Sequence, residues 1–242
     1  MKRFWIVMNM IYERLMLVAF AVAFLVIAYG LYDSWYVYNK AGDESFLRYK
    51  PASGQSITEE SPITDDMVAW ITVDGTNIDY PVMQGDTNSD YINTNPYGEY
   101  SLSGSIFLDS RNSADFTDDY SILYGHHMEY GKMFGALDDF LDEEYLTKHD
   151  TGTLLVGRNG DREYKLGIFA CAKVNVYDNK ALDPDTFENI SEMINEEAEI
   201  INTSIMKSDH ILALSTCTEP VSSNRLIVFA YIYGQDDYEK PE

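Results

Sequence analysis

Cys217 closes an apolar run, Ile211-Leu212-Ala213-Leu214-Ser215-Thr216-Cys217. Arg225 opens the next run after a turn-like segment, Thr218-Glu219-Pro220-Val221-Ser222-Ser223-Asn224. If the two runs pair as antiparallel strands, Cys217 and Arg225 share one end of a sheet. An arginine there favours the thiolate and can donate to an oxyanion. His126 and His127 end a third run, Ser121-Ile122-Leu123-Tyr124, after Gly125. Successive strand side chains point to opposite faces, so one of the two histidines faces the cysteine. Cysteine, histidine and a cation are a sufficient set for nucleophilic acyl transfer. The thiolate attacks a carbonyl, the histidine protonates the leaving amine, and the arginine holds the developing charge. The same residues also have plain readings. A free cysteine fills cores as a small hydrophobe, an arginine can be a strand-edge charge, and a histidine pair can sit in a loop.

The elements that must position these residues read as short strands between turn signals. They are Val68–Val73, Asn77–Val82, Ser105–Leu108, Tyr120–Gly125, Gly152–Val156, Tyr164–Val176, His210–Thr216 and Arg225–Tyr233. Asp74-Gly75 turns the first into the second as a hairpin. Leu226-Ile227-Val228-Phe229-Ala230 is apolar without alternation, which predicts burial on both faces. Two stretches have helical spacing. Phe134–Leu146 places Phe134, Leu137, Phe140, Leu141 and Tyr145 together, and Pro184–Ile201 places Phe187, Ile190, Ile194 and Ile201 together. Asp183-Pro184 supplies a capping residue and a proline at the first helical position. Eight strands with few helices predict a mainly β fold closed into a barrel rather than a parallel α/β sheet.

The amino terminus is different. Leu15–Tyr32 is eighteen residues without a charge, about 27 Å of helix and close to the thickness of a bilayer core. Lys2, Arg3 and Arg14 precede it against Glu13 alone, which puts residues 1–14 in the cytoplasm and everything after Tyr32 outside. A cleaved signal peptide is the competing reading, but Ala21-Val22-Ala23 lies within the apolar run rather than after it. The expected organisation is a cytoplasmic terminus 1–14, an uncleaved transmembrane signal anchor 15–32, a helical and linker stalk 33–66, and an extracellular domain 67–242. Of the 242 residues 45% are hydrophobic and 24% charged, which excludes disorder of the whole chain. The net charge is −23, and residues 1–40 carry +2 of it. The remainder repels phosphates, which disfavours nucleic acid as a partner. Two cysteines exclude a disulfide-rich scaffold and a four-cysteine zinc site.

Beyond these general signals, several pieces occur together in order. Trp70-Ile71-Thr72-Val73 with Thr76-Asn77-Ile78-Asp79-Tyr80-Pro81-Val82 is followed by Gly104-Ser105-Ile106-Phe107-Leu108-Asp109-Ser110-Arg111-Asn112. Then come Tyr124-Gly125-His126 with Met133-Phe134, Leu214-Ser215-Thr216-Cys217, and Asn224-Arg225. From about Val68 to Tyr233 the chain resembles the class B sortases, membrane-anchored cysteine transpeptidases of Gram-positive bacteria. The resemblance implies an eight-stranded sortase-type barrel with added helices. It implies Cys217 as nucleophile, His126 rather than His127 as acid and base, and Arg225 as oxyanion stabiliser. Tyr124, Ser215 and Thr216 become candidate substrate contacts, and the Pro184–Ile201 helix a wall of the substrate groove. Some members carry an acidic residue directly after the cysteine, where this chain has Thr218, with Glu219 one further. The implied partners are secreted proteins with a C-terminal sorting signal. The bond cut is Thr–Gly-like or Thr–Asn-like, and the acceptor is an amine of a cell-wall peptide or a pilin lysine. No cofactor is implied.

Other readings remain beside it. Cys171 lies mid-strand in Ile168-Phe169-Ala170-Cys171-Ala172 and reads as core, although a disulfide with Cys217 would consume the nucleophile. His126, His127, His149 and His210 lack a familiar metal-ligand spacing. Asp109, Asp115, Asp118 and Asp119 fail the EF-hand pattern and read as a solvated acidic surface, so no metal site is expected. An extracytoplasmic cysteine hydrolase would share the thioester and differ only in the final acceptor. A non-enzymatic surface domain would need none of Cys217, His126 and Arg225.

Overall fold

The computed structural model describes residues 2–41, 44–51, 61–175, 177, 180–217 and 224–234, with backbone alone for 37–41, 44, 186–189 and 217. It divides into two compact units, Met1–Gly42 and Asp43–Glu242. The first is one helix, α1 (Lys2–Ala41). From Lys2 to Tyr36 α1 is long and apolar enough to cross a membrane, and none of its apolar window is buried against protein.

The second unit is built on strands. In chain order these are β1 (Met67–Val73), β2 (Asp79–Met83), β3 (Ile106–Leu108), β4 (Tyr120–Met128) and β5 (Lys132–Met133). A short helix α2 (Glu143–Lys148) leads to β6 (Thr151–Val156) and β7 (Arg162–Asn175). Then follow α3 (Phe187–Glu197), β8 (Ala198–Ile201), β9 (Ile211–Cys217) and β10 (Asn224–Tyr233). The strand order is β10-β9-β4-β3-β2-β1-β6-β7, and β7 pairs with β10 to close an eight-stranded barrel. Neighbours are antiparallel except β2 with β3 and β4 with β9. The eight expected runs are the eight barrel strands, and β10 is buried on both faces from Leu226 onward.

Strand alternation separates two cores. An eight-stranded barrel is just wide enough for its own side chains, so the face that α3 covers is the outer one. Ile190, Met193 and Ile194 of α3 cluster there with Phe169, Ile211, Phe229 and Tyr231. The other face holds Ile71, Ile106, Leu123, Leu154, Ile168, Leu214 and Val228, together with Phe134, Leu137 and Phe140. A 3-10 helix, Glu44–Tyr49, belongs to this unit. Its Phe46 ring lies against Trp70 and Tyr80, and Lys50 Nζ pairs with Asp79 at 2.7 Å.

The helical readings need correction. Phe134–Leu146 is not one helix: a 3-10 helix, Phe134–Leu141, stops at Asp142, whose side chain accepts the Tyr145 N–H and starts α2 afresh. Pro184–Ile201 begins as a 3-10 turn, Pro184–Thr186, with Asp183 accepting the Asp185 N–H, and continues as α3. It ends at Glu197 because the last four residues pair with β7 as β8 instead. Gly125, which precedes the two histidines, does not interrupt its strand. It lies inside β4, where a Cβ would collide with Ile106 and Phe134.

Cys171 is a free thiol, fully buried in the inner core, and no disulfide takes it. Burial pushes that thiol up to about 12. At pH 8 its thiolate fraction is on the order of one in ten thousand. Iodoacetamide is therefore expected to leave Cys171 unmodified in the native protein and to modify it in urea. Peptide mass mapping of both samples checks this.

Candidate active site

Three strands bring the sequence-predicted residues to one level. In the parallel β4–β9 pair the partner of Cys217 is His126. In the antiparallel β9–β10 pair Ile227 stands opposite Ser215, and the same register carried two residues further sets Arg225 opposite Cys217. His126, Cys217 and Arg225 are therefore neighbouring backbone positions across β4, β9 and β10. The intervening segment 218–223, including Thr218 and Glu219, lies outside the described residues.

His126 continues the outward series Tyr120, Ile122, Tyr124. Its Nε2 is 2.7 Å from the Ile92 carbonyl oxygen. A carbonyl only accepts, so Nε2 carries the hydrogen, and Nδ1 is the nitrogen free to exchange a proton in the neutral ring. His127, one residue on, is engaged elsewhere. Its Nε2 meets Asp138 Oδ2 of the Phe134–Leu141 helix at 2.7 Å. The sequence left both histidines open on residue type alone, and the two sets of partners now distinguish them.

Arg225 is half-buried, and its Nε is buried without a hydrogen-bond partner among the described residues. A buried guanidinium donor without a partner is costly, and one poised at a strand end can be satisfied by an incoming acceptor such as a carbonyl oxygen. The Arg225 Cζ lies 5.9 Å from the centroid of the Tyr124 ring. Tyr124 is buried, and its hydroxyl donates to Asp109 Oδ2 at 3.1 Å. Burial, reinforced by the Asp109 charge, pushes the Tyr124 phenol well above its ordinary value, so it stays protonated. Ser215 and Thr216 are both buried. Thr216 Oγ1 accepts the Leu226 N–H at 3.1 Å, tying β9 to β10 next to the cysteine.

The reading of Asp109 as solvated acidic surface is corrected: it is a centre of interactions. Its side chain is fully buried, and its two oxygens receive the Arg111 N–H, Nε and Nη2, the Asn88 Nδ2 and the Tyr124 hydroxyl. Burial opposes its charge, but the Arg111 and Asn88 hydrogen bonds outweigh burial and hold the carboxyl below its usual range. Arg111 also reaches Asp183 at 2.9 Å and the Leu182 carbonyl at 3.2 Å. Tyr120 holds the same lead-in to α3 through the Ala181 carbonyl at 2.7 Å. An Asp followed two residues later by Arg was the only signal in the sequence, and it gives no partner on β4. The other loop carboxylates serve local turns. Asp115 accepts from Ser113 and Thr117, and Asp118 from Asn112 and Ser113. Among the described residues no group of three or more metal-ligating side chains converges.

Such a set of residues can carry an acyl group on sulfur, and comparison with known proteins agrees. The sortase domain family matches residues 71–233. Sortase B of Staphylococcus aureus is 34% identical over 177 residues, covering 70% of this chain and 71% of the relative. Among solved structures, a Streptococcus pyogenes class B sortase involved in pilus biogenesis is 37% identical, with a TM-score of 0.63 over 69% of this chain and 92% of its own. A complex of Staphylococcus aureus sortase B with substrate is 30% identical, with a TM-score of 0.63 over 72% of this chain and 82% of its own. The chain belongs to the sortase family of transpeptidases and stands with its class B members.

Proposed function

We propose that this sortase cuts a C-terminal sorting signal of secreted proteins, with Cys217 as nucleophile, His126 as acid and base, and Arg225 as oxyanion stabiliser. The observation that carries the reading is the alignment of these three positions across β4, β9 and β10. His126 Nδ1 takes the Cys217 thiol proton, the thiolate adds to the scissile carbonyl carbon, and the Arg225 guanidinium holds the resulting oxyanion. The C–N bond breaks, and the leaving amine takes its proton from His126 Nδ1. The thioester is then attacked by a second amine, whose proton passes to His126, and the C–S bond breaks to regenerate the thiolate. The acceptor amine belongs to a cell-wall peptide or a pilin lysine. Within this proposal α1 anchors the enzyme in the cell membrane, with residues 67–242 outside. The uncharged Leu15–Tyr32 run and the basic residues before it support that orientation.

The test uses the full chain in detergent micelles and intact-protein mass spectrometry. The enzyme is incubated with sorting-signal peptides containing Thr–Gly-like or Thr–Asn-like bonds, with and without a glycine peptide or a diamine. An acyl adduct on Cys217 and an acceptor-joined product are expected. An adduct that resolves only to the free acid, with every acceptor present, would make the protein a cysteine hydrolase. A Cys217 that alkylates readily yet never acylates would overturn the substrate class.

Arg225→Lys is expected to lower the acylation rate by about a hundredfold while the fold is kept. Lysine retains the charge but lacks the planar fork that meets an oxyanion beside a fixed ring. Single-turnover kinetics and circular dichroism check this together, and near-wild-type acylation would reduce Arg225 to a structural role.

A further inference from the structure

We infer that Asp109 and Tyr124 are positioning residues for Arg225: the buried Asp109 carboxylate fixes the Tyr124 hydroxyl, and the Tyr124 ring in turn sets the guanidinium. The inference rests on the acyl-transfer reading of Cys217, His126 and Arg225. It assigns roles to two residues that the acyl-transfer steps themselves do not use.

The geometry runs in one direction. Arg111 and Asn88 hold Asp109 from below, so its Oδ2 has a fixed place for the Tyr124 O–H. Tyr124 is further confined by Phe107, whose ring centroid is 5.4 Å away. A phenol with its hydroxyl tethered at one end and its ring wedged at the side presents a single face. That face carries Arg225 at 5.9 Å. The attraction of a guanidinium for an aromatic face is modest, but it acts on a group whose Nε has no hydrogen-bond partner among the described residues to hold it otherwise. The carboxylate behind the phenol makes the ring face more attractive to the cation. A fixed guanidinium meets the oxyanion without reorganising, and that benefit is felt in the transition state more than in substrate binding.

Arg111 adds a second consequence. By bonding Leu182 and Asp183 it ties the lead-in of α3 to the same carboxylate. The segment before α3 and the guanidinium on β10 are thus referenced to one buried group.

Replacing Asp109 itself would remove the acceptor shared by Arg111 Nε and Asn88 Nδ2 and disturb the fold. Tyr124→Phe is the cleaner variant, because it deletes only the hydroxyl and keeps the ring. It is made in the full chain, in the wild-type and Arg225→Lys backgrounds, and acylation of Cys217 is followed at varied peptide concentration. Tyr124→Phe is expected to lower the maximal acylation rate about fivefold with the half-saturating peptide concentration unchanged. In the Arg225→Lys background the same change is expected to cost less than about twofold, because the group it positions is gone. An equal loss in both backgrounds would overturn the inference, since Tyr124 would then act independently of Arg225. A shift confined to half-saturation would make Tyr124 a substrate contact, and wild-type kinetics would leave the Asp109–Tyr124 bond purely structural. Failure of the wild-type protein to form any adduct would instead refute the acyl-transfer reading itself.

Discussion

Cys217→Ala is expected to remove all acyl transfer while leaving the barrel intact. Cys217 is the last residue of β9, and β9 is fixed by β4 on one side and β10 on the other. The residues that bury this strand are Ile211, Leu212, Ala213 and Leu214, and the tie to β10 nearest the site is made by Thr216. None of these depends on a sulfur at 217, so the melting temperature is expected to stay within about 2 °C of wild type. The chemistry depends on it wholly. Alanine offers no lone pair to the carbonyl, so no thioester can form. Loss of a covalent nucleophile lowers turnover by roughly four to six orders of magnitude, and what remains is orientation and oxyanion stabilisation acting on water. Intact-mass spectrometry should show no adduct, and a product assay should show no acceptor-joined peptide. Retained transpeptidation would remove the nucleophile assignment, since the other cysteine, Cys171, is sealed in the inner core.

What the sequence could reveal of this arrangement depended on distance along the chain. The barrel strands were legible because each is an apolar run bounded by turn residues. The β9–β10 pairing was legible because a short segment of turn-forming residue types joins two such runs. The position of His126 was not, on residue type alone. Its partner on β9 lies far along the chain in a parallel pairing, and parallel register has no local signature. β5 is two residues long, below any periodicity. β8 was read as helix because Ile194 and Ile201 sit at a helical interval. The edge of β7 offered Ala198–Ile201 unpaired backbone groups, and tertiary pairing overrode local spacing. The break at Asp142 follows the same logic on a smaller scale, since an aspartate that can cap a new helix competes with continuing the old one. Asp109 read as solvated surface for a different reason. A buried carboxylate is recognised by its partners, and four of its five donors come from Arg111 and Asn88, neighbours that read as an ordinary polar loop.

The two adjacent histidines give the sharpest contrast. His126→Ala is expected to reduce acylation by about a thousandfold, and His127→Ala by no more than about threefold. His126 shares a register level with Cys217, and its Nε2 is held by the Ile92 carbonyl, which fixes the ring and leaves Nδ1 for proton exchange. Removing the ring leaves the departing amine without a proton donor, so the tetrahedral adduct collapses back to the thiol. His127 lies on the other side of β4, and its imidazole is paired with Asp138. That pair is partly exposed on both sides, so its loss costs about 1 kcal/mol of stability or less and touches no reacting atom. The variants should therefore separate along different measurements. His126→Ala should keep its melting temperature and lose rate, whereas His127→Ala should keep its rate and melt slightly earlier. A reversal, with His127→Ala the slower enzyme, would reassign the acid and base and would require β4 to present its other face to Cys217. Equal and small effects from both would mean that the leaving amine takes its proton from water. Acylation in wild type would then slow steeply as the leaving amine becomes more basic, which single-turnover rates with a series of substituted anilide substrates would reveal.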